Sequence, residues 1–129
     1  MADTQLVGIL NLTPDSFSDG GKFSDKAVAL DAISKMMGQG ARVIDIGAES
    51  TRPGALPVSP GEEWRRLEPV LTALSSIRQP GVSFSVDTRH GENAAKALEL
   101  GIDWVNDVTG FISPSMISAV KNSKCTLVM

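Results

Sequence analysis

An alternation constrains this chain more than any other feature. Five short apolar runs, Leu6–Leu10, Arg42–Ile46, Val82–Val86, Asp103–Asn106 and Cys125–Val128, are too short for helices and rich in Val, Ile or Leu. Four segments with helical spacing separate them. Ala29, Ile33, Met36 and Met37 fall on one helical face, and Gly38 and Gly40 end it. Ser59-Pro60-Gly61-Glu62 reads as a capping box with proline at the first helical position. The helix it opens carries Trp64, Leu67, Leu71 and Leu74 on one face, and Pro69 inside it is expected to kink or split it. Ala94, Ala97 and Leu98 mark a third helix stopped by Gly101. Ser113-Pro114 caps a fourth, with Ile117 and Val120 facing inward.

The order is therefore β-α-β-α-β-α-β-α-β. Strands without polar alternation, separated by helices, imply a parallel sheet buried on both faces. An open doubly wound sheet and a (β/α)8 barrel both satisfy that order. No G-x-G-x-x-G follows the first strand, which weakens a dinucleotide reading. The loops 12–24 and 47–60 are long and polar, and both architectures place their sites in loops at the C-terminal ends of strands.

With 42% hydrophobic and 21% charged residues in 129, the chain can bury a core as one small domain. A net charge of −3 with scattered Lys and Arg gives no nucleic-acid surface. The apolar runs are too short to span a membrane, and the N-terminus lacks the features of a signal peptide. A single cysteine, Cys125, cannot form an internal disulfide and fits a reducing cytosol. It is read as core packing. The final Thr126-Leu127-Val128-Met129 lies inside an apolar strand. Five strands of a barrel would leave two unpaired edges, so the chain is expected to be a truncation, with a complete five-stranded open sheet as the alternative.

Four polar clusters lie at the C-terminal ends of the expected strands: Asn11–Gly21, Glu49–Gly54, Asp87-Thr88-Arg89 and Asn106-Asp107. Asp87 could cap the third helix. Three polar strand ends in a row instead favour a binding site. A carboxylate beside an amide suits a flat heterocycle with several donors and acceptors. Thr51-Arg52 reads as anion recognition, since the guanidinium fork fits phosphate oxygens. Asn11 offers a neutral oxygen to a hard cation such as Mg²⁺, or is a turn residue. Phe17, in a Ser/Asp/Gly loop, either folds onto the core or covers a ligand. The only histidine, His90, has no Cys or His at a ligand spacing, which argues against zinc. No G-x-S-x-G elbow supplies a nucleophile.

Gly8-Ile9-Leu10-Asn11-Leu12-Thr13-Pro14-Asp15-Ser16-Phe17-Ser18-Asp19-Gly20-Gly21 resembles the first signature of the dihydropteroate synthases. Asp45-Ile46-Gly47-Ala48-Glu49-Ser50-Thr51-Arg52-Pro53-Gly54 resembles the second, and Ser85–Thr88 and Asn106–Gly110 resemble two further motifs. The resemblance covers essentially the whole chain. It implies the N-terminal part of a (β/α)8 barrel, residues 1–129, in a cytoplasmic enzyme that joins a pterin diphosphate to p-aminobenzoate. It also implies a homodimer, with no nucleic acid or membrane partner.

The resemblance further implies roles. Asp87 and Asn106 would hydrogen-bond the pterin, with Ile9, Val108 and Met129 as apolar neighbours. Asn11 would meet Mg²⁺ and the diphosphate, and Thr51 and Arg52 would order the diphosphate. Phe17 and Pro53 would border the p-aminobenzoate pocket, where sulfonamides compete. Asp19 would help hold Mg²⁺ and offset charge on the pterin methylene. Ala48 and His90 depart mildly from the family pattern. The family's C-terminal half, which brings an aspartate, a lysine, an arginine, a histidine and most of the dimer contact, has no match here. An inactive pterin-binding or structural half-barrel is therefore the alternative for this chain. A pterin-dependent methyltransferase is a third option, opposed by the run Thr13–Gly21.

Overall fold

The computed structural model describes residues 4–13, 22–49 and 53–129. Five parallel strands, β1 (Leu6–Asn11), β2 (Ala41–Gly47), β3 (Ser83–Asp87), β4 (Trp104–Asn106) and β5 (Thr126–Val128), lie side by side in chain order. The connecting helices are α1 (Lys22–Gly38), α2 (Pro60–Ala73), α3 (Gly91–Glu99) and α4 (Pro114–Val120). A doubly wound sheet would reverse its strand order partway. This order does not reverse, so the architecture is the N-terminal part of a (β/α)8 barrel: four βα units and a fifth strand.

Strand alternation sends Leu10, Ile44, Ile46, Phe84, Val86 and Val105 to one face, where Ile33, Leu67, Leu71 and Met116 of the helices meet them in a single buried cluster. Fully burying each such side chain contributes about 1.5–3 kcal/mol. The expectation of a sheet buried on both faces holds for β2 and β3, where Val43, Asp45 and Ser85 are buried on the helix-free side, and fails at β1. The opposite face leaves Val7 and Ile9 51% and 67% exposed and carries Asp45, Ser85, Asp87 and Asn106. Polar residues on that face make it the candidate site.

Three local expectations need correction. Pro69 does not split α2, which continues to Ala73 and closes in a 3-10 turn at Leu74–Ser76. The carbonyl that proline leaves without a donor is that of Arg65, an exposed residue that water can serve. The capping box is half made. Ser59 accepts the Glu62 N–H at 3.2 Å, while the Glu62 carboxylate turns to Arg65 and Arg66. In α4 it is Met116 that faces inward with Val120, and Ile117 is 48% exposed. Ser113 makes no side-chain cap bond and pairs with the Ser115 hydroxyl instead.

Helices α3 and α4 pack backbone against backbone: a Cβ on Gly91 would lie 2.2 Å from the Ser115 carbonyl carbon. Cys125 is half-buried just before β5, 2.8 Å from the Ser123 hydroxyl, so it packs at the margin of the core rather than inside it. Among the described residues no helix is long and apolar enough to cross a membrane.

Candidate functional site

The register of the sheet aligns the C-terminal strand ends. Asn11, Gly47, Asp87, Asn106 and Val128 form one row across all five strands. One layer below runs Ile9, Asp45, Ser85, Trp104 and Thr126. Residues two apart on a strand share a face. Both rows therefore belong to the helix-free face. Asp87 and Asn106 are direct neighbours, and Asn11 stands two strand spacings from Asp87, roughly 10 Å.

Gly47 lies between Asn11 and Asp87 in this row, and its missing side chain makes room. A Cβ there would come within 3.2 Å of the Asp87 Cβ and 3.4 Å of Oδ2. The Asp87 carboxyl thus leans over β2. Its pKa is pushed up from 3.8 to about 7, first by burial and then by the negative charges of Asp45, Glu63, Asp107 and Glu49. A carboxyl held there can exchange a proton near neutrality and binds N–H donors most strongly when charged. The capping alternative for Asp87 is excluded, because the cap of α3 is His90.

Beneath this pair, Asp45 is 7% exposed. Its Oδ1 accepts the Ser85 hydroxyl at 2.7 Å, and its Oδ2 accepts an Asn106 Nδ2–H at 3.1 Å. Asp107, by contrast, is fully buried and structural. It accepts the Thr109 N–H and hydroxyl at 2.9 and 2.8 Å and the Phe111 N–H at 3.2 Å, closing the turn after β4.

A second polar network borders the row. Arg89 donates to both Glu49 oxygens at 3.0 and 3.3 Å, and the Val58 N–H donates to Oε2 at 2.9 Å. Burial would raise the Glu49 carboxyl, but the Val58 N–H, the Arg89 hydrogen bond and the charges of Arg89 and His90 outweigh it and hold it below its ordinary value. The buried Glu63 accepts from the Thr88 hydroxyl and from Asn93 Nδ2. Ligand-capable atoms of Glu49, Glu63 and His90 lie within 4.8 Å of one another. Chain spacing hid this group, since its members come from three separate segments. The hydrogen bonds to Thr88, Asn93, Val58 and Arg89 already engage its carboxylates.

Of the residues singled out from sequence, Asn11, Asp87 and Asn106 meet in one row. Ile9 lies one layer beneath Asn11 on the same face and is exposed. Val108, in the turn after β4, is 63% exposed, Met129, just past β5, is 86% exposed, and Pro53 is exposed. Phe17, Asp19, Thr51 and Arg52 lie outside the described residues. Asp45, Ser85, Gly47 and Glu63 were given no role by sequence reading. For Asp45 a signal existed, namely a carboxylate in the middle of an otherwise apolar strand.

The model of the pterin binding enzyme family matches residues 7–129. A dihydropteroate synthase from Synechocystis sp. is 41% identical over 127 residues, covering 98% of this chain and 43% of that protein. A dihydropteroate synthase from Xanthomonas albilineans, solved with 4-aminobenzoic acid, superposes with a TM-score of 0.88 at 38% identity, over 97% of this chain and 45% of that one. The enzyme from Anaplasma phagocytophilum, solved with bound 6-hydroxymethylpterin-monophosphate, superposes at 0.86 with 44% identity, over 95% and 47%. The chain thus spans less than half the length of these relatives.

Proposed function

The chain belongs to the pterin binding enzyme family, and from that premise we propose that it serves a dihydropteroate synthase. The reaction condenses 6-hydroxymethyl-7,8-dihydropterin diphosphate with p-aminobenzoate, giving dihydropteroate and diphosphate for folate biosynthesis. The pairing of Asp87 with Asn106 in one register row of the open face carries this reading. A carboxylate and an amide about one strand spacing apart match the donor-rich edge of an aminopyrimidinone. Residues 1–129 are then one partial pterin-binding barrel domain.

In the condensation, the bond from the pterin methylene to the diphosphate oxygen breaks. A bond from the aromatic amine nitrogen to that carbon forms, and the amine gives up a proton. Holding the pterin flat against Asp87 and Asn106 places the methylene toward the rim, where Asn11 stands and where the chain leaves β1 and β2. Positioning of this kind supplies much of the rate without a side-chain nucleophile. In this reading Thr51 and Arg52 order the diphosphate. Phe17 and Pro53 border the p-aminobenzoate pocket, where sulfonamides compete. Ile9, Val108 and Met129 flank the pterin, and Asp19 offsets charge growing on the methylene.

Magnesium fits the donor set. Asn11 is exposed, and among the described residues no hydrogen bond occupies its amide. Asn11 would give it one neutral oxygen, with water and phosphate supplying the rest. When bound, the ion neutralises charge on the departing diphosphate. A cytoplasmic setting and a homodimer complete the proposal, the former supported by the single cysteine.

The exposed Val7 and Ile9, and β1 and β5 as the outermost strands among the described residues, favour a second reading for this chain alone, pterin binding without turnover. Calorimetry with the pterin diphosphate separates these. The chain is expected to bind it, to lose binding in Asp87→Ala, and to form no dihydropteroate with Mg²⁺ and p-aminobenzoate. Absence of binding would refute the pterin site, and turnover would refute the second reading.

A further inference from the structure

We infer that Asp45 is a positioning residue for pterin recognition: from one layer beneath the site, its carboxylate fixes which way round the Asn106 amide faces the heterocycle. The inference rests on reading Asp87 and Asn106 as the pterin contacts.

Asp45 is 7% exposed and sits on β2 beneath Gly47, so no side chain of its own strand covers it from above. Two neutral donors hold it: the hydroxyl of Ser85, its register partner on β3, at 2.7 Å, and the Asn106 amide on β4 at 3.1 Å. Ser85 is itself 2% exposed, so the clamp is protected from water. Turning the Asn106 amide over would set its carbonyl oxygen against the Asp45 carboxylate, acceptor against acceptor. In a half-buried site that exchange replaces an attraction with a repulsion and leaves polar atoms unpaired. One Asn106 N–H is therefore committed downward. Its carbonyl oxygen, and at most one N–H, remain for a ligand.

This has a consequence for specificity. Beside Asn106, an ionised Asp87 offers acceptors only. The row therefore presents a carboxylate and a carbonyl oxygen of fixed orientation, with at most one N–H of Asn106 beside them. Such an edge takes a pteridine with an exocyclic amine and a ring N–H. It disfavours the 2,4-dioxo analogue, whose carbonyl would meet an acceptor. Sites built to bond a particular donor discriminate strongly because the wrong ligand leaves buried groups unpaired. Without Asp45 the amide can rotate to suit either ligand.

The test uses the 129-residue chain with pterin and lumazine as probes, together with ¹⁵N–¹H spectra of the Asn106 side-chain amide. The variants are Asp45→Val, which removes the acceptor, and Asp45→Asn, which keeps one. The native chain and Asp45→Asn should prefer pterin by about tenfold or more, and Asp45→Val by less than about threefold. Slow rotation about the C–N bond keeps the two Asn106 amide protons distinct in all three proteins; the one facing residue 45 should be displaced and slow to exchange with solvent in the first two and should show the shift and fast solvent exchange of a free side-chain amide in the third. Native-like preference and native-like Asn106 resonances in Asp45→Val would overturn the inference. If Asp45→Val does not fold, Ser85→Ala replaces it. That variant loosens the clamp and should shift the Asp45-facing Asn106 amide proton toward the free side-chain position and speed its solvent exchange, and unchanged signals there would overturn the inference equally. A native chain that binds neither probe sinks the functional reading, while the spectra still decide whether Asp45 fixes the amide.

Discussion

Replacing Asp87 by asparagine should make the protein more stable at alkaline pH while removing the pterin contact proposed for it. The Asp87 carboxyl is pushed up from 3.8 to about 7, chiefly by burial and then by neighbouring carboxylates. A shift of about three units corresponds to about 4 kcal/mol at about 1.4 kcal/mol per unit. The open face admits water, and screening there reduces the expected value to about 2 kcal/mol. The native fold binds the Asp87 proton more tightly than the unfolded chain does. The contribution of this group to stability is therefore fully present below about pH 4 and is lost as pH rises through about 7. Asparagine keeps the shape and never ionises. Urea titrations at pH 4, 6 and 8 should show Asp87→Asn gaining about 2 kcal/mol over the native chain at pH 8, a midpoint shift of about 1 M, with most of the pH-dependent gain gone at pH 4. A stability difference that does not change with pH, or one that grows as pH falls, would refute the account of Asp87. A stabilised variant that still binds pterin would refute its role as a contact.

Three further outcomes follow from the packing. Gly47→Ala places a methyl 3.2 Å from the Asp87 Cβ and should weaken pterin binding about tenfold by calorimetry, at a cost to the fold of about 1 kcal/mol in urea titration. Gly91→Ala drives a methyl into the Ser115 backbone and should cost about 3 kcal/mol or more, read as a large fall in melting temperature; a melt within a few degrees of native would contradict the close packing of α3 on α4. Among the described residues β1 and β5 are edge strands, and these edges with the exposed Val7 and Ile9 should make the chain self-associate in light scattering; a monodisperse monomer would contradict this.

The strands were legible because branched apolar runs of four or five residues, punctuated by glycine and proline, leave few alternatives. Observed and expected ends differ by about a residue, as boundaries usually do. Strand order was not legible from spacing, since a barrel and an open sheet share the same alternation; hydrogen-bonded pairing decides it. Ile117 and Met116 were confused because a helix of seven residues has too few turns to define a face by pattern alone. Of the kink or split expected at Pro69 the split does not occur, because its cost depends on whether water can reach the orphaned carbonyl, which is a property of the packed surface. At the site, Asp87, Asn106 and Asn11 could be picked out because each ends a strand. Asp45 stood out only as a carboxylate inside an apolar strand, and its tie to Asn106 could not be read because that amide lies 61 residues away in the chain. The same holds for Glu63, whose partners Thr88 and Asn93 lie 25 and 30 residues away.

Strand order also bears on how the polypeptide acquires its shape. Every strand pairs with the one made just before it, and no early strand waits for a late one to fill a place between neighbours. Loops closed in this way stay short, and the entropic cost of each closure is met by a helix and strand already at hand. Growth can thus proceed unit by unit as the ribosome delivers the chain, in the manner of stacked repeats. The candidate row forms late, because Asp87 acquires its neighbour Asn106 only when the fourth strand docks.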